Sequence, residues 1–183
     1  MNGNSLDLNG VIVRYLNKLP TACLVVATLL CLAFPITASA IVRKGDPAPP
    51  LKVISTSGQK ITLDNYKGYV LVVDFFTTWC IPCRESIPHL VNLNRKYGGK
   101  GLQILGLSAD EDGEKVVKSF IIDKRINYPV AIVGEDLTTD YGIRSIPTLF
   151  VINKKGVIAE KYQGFNDDMK LAMETLIKKL LAE

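Results

Sequence analysis

Apolar positions along the chain fall into runs whose length and spacing separate strands from helices. Tyr69 to Phe76 is a β-branched and aromatic run with almost no alternation, which predicts a central strand covered on both faces. Leu102 to Leu107 predicts a second buried strand, and Pro129 to Val133 a short third. Leu51 to Leu63 reads as a strand pair turning at Ser57-Gly58. Leu149 to Ile152 and Val157 to Tyr162 flank Asn153-Lys154-Lys155-Gly156, a hairpin signal.

Between these runs the period lengthens to that of helices. Cys80 to about Tyr97 carries Leu90, Leu93 and Tyr97 at helical spacing, with Pro88 expected to kink the axis and Gly98-Gly99 to end it. Gly113 to Arg125 sets Val116, Val117, Phe120 and Ile121 on an inner face. Asp167 to Leu181 closes the chain as a helix whose Leu171, Leu176 and Leu180 seek the sheet. Alternation of strands and helices predicts an α/β fold, and no internal repeat or low-complexity tract divides it. Residues 41–50, with Pro47, Pro49 and Pro50, read as an extended linker.

The first forty residues have a different character, with only Asp7, Arg14 and Lys18 charged. Arg14 and Lys18 precede an apolar stretch from about Thr21 to Phe34, followed by Pro35 and the small residues Ala38-Ser39-Ala40. This is the three-part pattern of an export signal. The run falls short of the roughly 20 residues that span hydrocarbon unless it is counted from Leu19 to Ile36, so cleavage and membrane anchoring both stay open. Neither Cys23 nor Cys31 stands in a lipobox context. Residues 1–40 are thus expected to be a signal peptide or N-terminal anchor, and 41–183 a single exported domain. Basic residues ahead of the run hold the amino end inside and send that domain to a periplasmic or other extracytoplasmic, oxidising compartment.

Across all 183 residues the formal net charge is only +4. The densest basic spots, Lys154-Lys155 and Lys178-Lys179, read as solvated surface, so nucleic acid is excluded as a partner.

Of four cysteines, two fall in the export segment, leaving Cys80 and Cys83. A bridge across two residues removes little entropy from the unfolded chain, so chemistry and not stapling is its expected purpose. Trp79-Cys80-Ile81-Pro82-Cys83 sits where a buried strand gives way to a helix, placing the sulfurs at i and i+3 on the first turn. Cys80 faces unpaired amides and the positive end of the helix dipole, which stabilise a thiolate. It is assigned as nucleophile. Cys83, one turn deeper, is kept protonated by desolvation and assigned as the resolving thiol. A metal site is disfavoured, because one Cys-x-x-Cys supplies two ligands and the sole histidine, His89, points away from Cys83 on a helix.

Asp74 interrupts the apolar strand six residues before Cys80. An ionised carboxylate there is costly without compensation; a buried carboxyl with a raised pKa could take or give the proton of Cys83. The competing reading is an Asp at a wet strand edge. In Ile146-Pro147-Thr148 the proline marks a strand entry, for which an ordinary trans bond is the default.

With Asp74, Trp79-Cys80-Ile81-Pro82-Cys83, Pro88 and Ile146-Pro147-Thr148 in this order, residues 45–182 resemble the thioredoxin superfamily. The export segment, the opening Gly45-Asp46-Pro47-Ala48-Pro49, the hairpin and the additional helix and strand around 113–133 are similar to its TlpA/ResA group, extracytoplasmic thiol-disulfide oxidoreductases. The resemblance implies a central mixed β-sheet flanked by helices, with an N-terminal β-hairpin and an inserted helix-strand. It implies that Pro147 is cis and borders the dithiol, blocking metal binding, and that Ile146 offers its backbone and Trp79 its surface to substrate. It further implies a reductase of exported disulfide-containing proteins, such as apocytochrome c or copper-site proteins, served by a membrane thiol-disulfide electron donor, with no cofactor. Where this group commonly carries Glu, three residues after the second cysteine, this chain has Ser86, and the acid is Glu85.

Two other functions compete. A peroxiredoxin-like peroxidase finds Thr77 in place, but Val73 occupies the proline position of its motif. A copper(I) metallochaperone would use the same soft thiolates as ligands.

Overall fold

The computed structural model describes residues 42–183; the expectations for the export segment lie outside the described residues. Its centre is a five-stranded mixed sheet built from β3 (Val70–Phe76), β4 (Leu102–Ser108), β5 (Val130–Ile132), β6 (Thr148–Ile152) and β7 (Ile158–Gln163), in the order β5-β4-β3-β6-β7. β3, β4 and β5 run parallel, whereas β6 and β7 pair antiparallel. All seven residues of β3 are buried, because it has a strand on either side and a packed layer on each face. That position explains why its sequence lacks alternation.

One face of the sheet meets α1 (Ile81–Tyr97), α2 (Glu114–Asp123) and α4 (Asp167–Ala182). Val70, Val72 and Phe76 of β3 pack there against Ile87, Leu90 and Val91 of α1 and Met173 and Ile177 of α4. The other face carries Leu71, Val73 and Phe75 against Leu51, Ile61 and Tyr141. Tyr141 follows a short helix, α3 (Glu135–Asp140), which the sequence pattern does not announce because six residues hold less than two turns of periodicity.

The strand pair β1 (Lys52–Ile54) and β2 (Lys60–Thr62) turns as expected around Gly58, whose N–H donates to Ser55 O at 2.8 Å. It docks on β5 through a bridge between Ser55 and Ala131. The β6–β7 hairpin is held by the Asn153 side chain, whose Oδ1 accepts from the N–H of Lys155 and of Val157 at 3.0 Å each.

Three expectations need correction. Leu171 is 70% exposed; the buried stripe of α4 is Met173, Ile177 and Leu180, spaced i, i+4, i+7, and Leu171 lies two residues out of phase with it. In α2 the buried residues are Val117 and Phe120, while Val116 is exposed. By contrast, α1 ends where Gly98-Gly99 predicts, with Gly98 as its right-handed cap, and the left-handed turn follows at Gly101, φ +100°. Residues 42–50 are no free linker: Val42 and Ala48 are buried, and Ala48 N–H donates to Gly156 O at 2.9 Å.

Candidate functional site

The loop Thr77–Cys80 leaves β3 and enters α1 with Cys80 as the residue capping the helix. Its backbone is extended (φ −74°, ψ 115°), and its Sγ accepts the Cys83 N–H at 3.2 Å. A sulfur thus takes the place that Ser or Asp usually holds at a helix start, facing the amide donors of the first turn. Cys80 and Cys83 form a disulfide with Cα atoms 5.3 Å apart. Cys80 retains 6% exposure and Cys83 none, so the two sulfurs are unequal in access. Pro82 costs the first turn nothing, since an N–H there has no partner within the helix.

Trp79 and Ile81 flank Cys80 with 66% and 71% exposure. Such apolar surface around a reactive sulfur suits contact with another chain. A shallow groove beside Trp79 is lined by Thr78, Arg84, Val116 and Phe120. Arg84 lies over the Phe120 ring, 5.6 Å from its centre.

Thr78 is anchored by a residue that sequence reasoning missed. Asp110, just beyond β4, accepts the Thr78 N–H at 2.9 Å, the Thr78 hydroxyl at 2.6 Å and the Ser108 hydroxyl at 2.6 Å. All three residues are buried. No local pattern announces a contact 32 residues apart; an acid two residues beyond a buried strand is the available signal.

Asp74 is fully buried in the central strand, paired with Gly106 on β4 and Leu149 on β6. A wet-edge position is therefore ruled out. By strand alternation it shares the face of Val72 and Phe76, the face on which Cys83 packs. Neither carboxyl oxygen has a hydrogen-bond partner among the described residues. Burial alone lifts its pKa from the ordinary carboxylate range to about 7. Tyr128, also buried, shares this core layer, and sequence reasoning gave it no role.

The Ile146–Pro147 peptide is cis. Because Thr148 pairs with Phe75, this loop enters the sheet at the end where β3 leaves for Cys80. Ile146 packs against the cluster that contains both cysteines, and Pro147 O accepts Gly164 N–H at 2.8 Å. His89 is half-buried against the Phe165 ring; burial lowers its pKa, while Glu174 opposes and Lys170 reinforces that shift. Glu85 is exposed, and Ser86 is buried with its hydroxyl donating to Cys83 O at 2.9 Å. Among the described residues no group of three or more His, Cys, Asp or Glu is arranged to hold a metal.

Residues 43–177 match the Redoxin family model. The chain belongs to the Redoxin family. It is 35% identical over 137 residues to the thiol-disulfide oxidoreductase ResA of Bacillus thuringiensis subsp. konkukian, covering 74% of this chain and 78% of that one. Thioredoxin-like protein YneN of Bacillus subtilis is 30% identical over 124 residues, 67% of this chain and 73% of its own. Among solved structures, a thiol:disulfide interchange protein of the thioredoxin family from Chlorobium tepidum superposes with a TM-score of 0.68 at 28% identity, over 75% of this chain and 97% of that one. The protein is a ResA-like thiol-disulfide oxidoreductase of the thioredoxin superfamily, with Cys80 and Cys83 as its redox-active dithiol.

Proposed function

We propose that this Redoxin-family protein reduces disulfides in exported partner proteins, in the periplasm or an equivalent extracytoplasmic space. The observation that carries the reading is the unequal pair of sulfurs at the tip of α1, Cys80 partly open and capped by an amide, Cys83 closed behind it.

In the forward step the Cys80 thiolate attacks a partner disulfide; a mixed disulfide forms and the partner's other sulfur departs as a thiolate. Cys83 then gives its proton to the Asp74 carboxylate and attacks Cys80 Sγ. The bond to the partner breaks, its second sulfur leaves reduced, and the Cys80–Cys83 disulfide remains. Two electrons have passed to the partner, so a membrane thiol-disulfide donor must return two to the enzyme. Asp74 suits the proton step because burial brings its pKa near neutrality, where a carboxyl exchanges protons readily. Trp79, Ile81 and the Ile146–Pro147 loop form the contact surface, and the Ile146 backbone has no hydrogen-bond partner among the described residues. Pro147 beside the dithiol keeps metals from the two sulfurs.

The reducing direction is supported by Ile81-Pro82, which add no cation beside Cys80 to favour its thiolate further. Apocytochrome c or a copper-site protein is the partner class implied by the family resemblance. Residues 1–40 serve as signal peptide or anchor; among the described residues no helix is long and apolar enough to cross a membrane.

The test is capture. Cys83→Ser, expressed in the native compartment, should accumulate partners disulfide-linked to Cys80, identified by mass spectrometry. Exported proteins with paired cysteines are expected; recovery of none in an otherwise folded variant would refute the reading.

A further inference from the structure

On β4 the residue paired with Asp74 is a glycine, Gly106. A Cβ there would stand 3.1 Å from Val130 Cγ2, 3.2 Å from Phe76 Cε1 and 3.4 Å from Tyr128 Cε2. The space that a side chain at 106 would take is therefore filled by its neighbours, and one of them is the Tyr128 ring edge adjoining the hydroxyl. Paired residues on neighbouring strands lie roughly 5 Å apart and project from the same face. A ring lying over Gly106 thus lies beside the Asp74 carboxyl.

Both partners of this juxtaposition are otherwise unengaged. The Tyr128 hydroxyl and both Asp74 oxygens are buried without a hydrogen-bond partner among the described residues. Buried polar groups are rarely left so, and the chemistry is complementary, since an ionised carboxylate only accepts and a phenol donates. Burial first, and the Asp74 charge second, hold the phenol pKa well above its ordinary value, so it stays a neutral O–H donor. The other ionisable groups of this core layer are committed elsewhere. Cys80 and Cys83 are bonded to each other, Tyr97 donates to Glu174 at 2.7 Å, and His89 has its charged neighbours in Glu174 and Lys170. What α2 and α4 bury in this layer is uncharged.

We infer that Tyr128 is the positioning residue of the proton acceptor: its O–H donates to the Asp74 carboxylate across one water and holds it ionised to receive the Cys83 proton. Gly106 is what makes room for that approach. The inference rests on the reading of Asp74 as the acceptor, and the two can fail separately.

The experiment uses the full chain carrying glutathione in mixed disulfide with Cys80. Release is followed by stopped flow against pH. In that step the Cys83 sulfur bonds Cys80 Sγ, its proton goes to Asp74, and glutathione leaves as a thiolate. Tyr128→Phe keeps the ring that packs over Gly106, so folding is preserved. It is expected to move the lower inflection of the release profile upward by at least about half a pH unit, because the ionised carboxyl loses a donor. Asp74→Asn should remove that inflection, and adding Tyr128→Phe to Asp74→Asn should change the profile no further. If Asp74→Asn removes the inflection and Tyr128→Phe leaves it in place, the inference is overturned while Asp74 keeps its role. An inflection that survives Asp74→Asn overturns both.

Discussion

Asp110 holds Thr78 by both its N–H and its hydroxyl, at 2.9 and 2.6 Å, two residues before Cys80. The end of β4 is thereby tied to the loop that presents Cys80. Asp110→Ala leaves these donors and the Ser108 hydroxyl buried and unpaired, where each costs about 1–3 kcal/mol. The variant is expected to lose at least about 2 kcal/mol in urea unfolding and to turn over more slowly. Wild-type stability would mean that other contacts hold the loop.

The inequality of the two sulfurs sets a clear expectation for their replacements. Cys80→Ser should abolish disulfide turnover, whereas Cys83→Ser should complete the first attack and stall as a mixed disulfide. Insulin reduction, with non-reducing electrophoresis of the products, separates the two; turnover by Cys80→Ser at the wild-type rate is the result that sinks the mechanism.

Asp74 makes stability depend on pH in a direction opposite to that of a salt-bridged acid. Its carboxyl titrates about 7 in the fold, against the ordinary 3.8. Between those values the folded protein binds more protons than the unfolded chain, so stability falls as pH rises across that window and levels off above it. Oxidised wild type should thus lose a few kcal/mol relative to Asp74→Asn between pH 4 and pH 7. Unfolding curves of the two proteins across that range check it, and parallel profiles would contradict a neutral buried carboxyl. In reduced protein, Asp74→Asn should slow release of partner more than the initial attack.

Trp79, two-thirds exposed beside Cys80, is expected to matter for protein partners and little for small disulfides. Trp79→Ala should lower kcat/KM toward a protein disulfide on the order of tenfold, the scale of an interface aromatic anchor. Reduction of oxidised glutathione should stay near wild type. An equal loss on both would instead place Trp79 in the chemistry.

Much of the fold was legible because its elements are strongly patterned. The unalternating β3, the Asn153–Gly156 turn and the change of period at Cys80 each carry their own local signal. Failures came where the signal is local but the outcome is not. Leu171 has an apolar side chain in an apolar helix, yet only the phase of α4 against the sheet decides which leucines are covered. Val116 fails likewise, and its exposure places it in the groove beside Trp79.

What the linear chain determined by itself is the chemistry: two cysteines at helical spacing after a buried strand, and an acid within that strand, because spacing and residue type follow from covalent order. Tertiary structure alone decided the surroundings of that chemistry. Asp110 reaches Thr78, and the Tyr128 ring comes over Gly106, only once β4 lies against β3 and β5 against β4. Those contacts join residues more than twenty positions apart, and their energies come from burial and from the partnering of buried polar groups, both of which exist only after the sheet has formed.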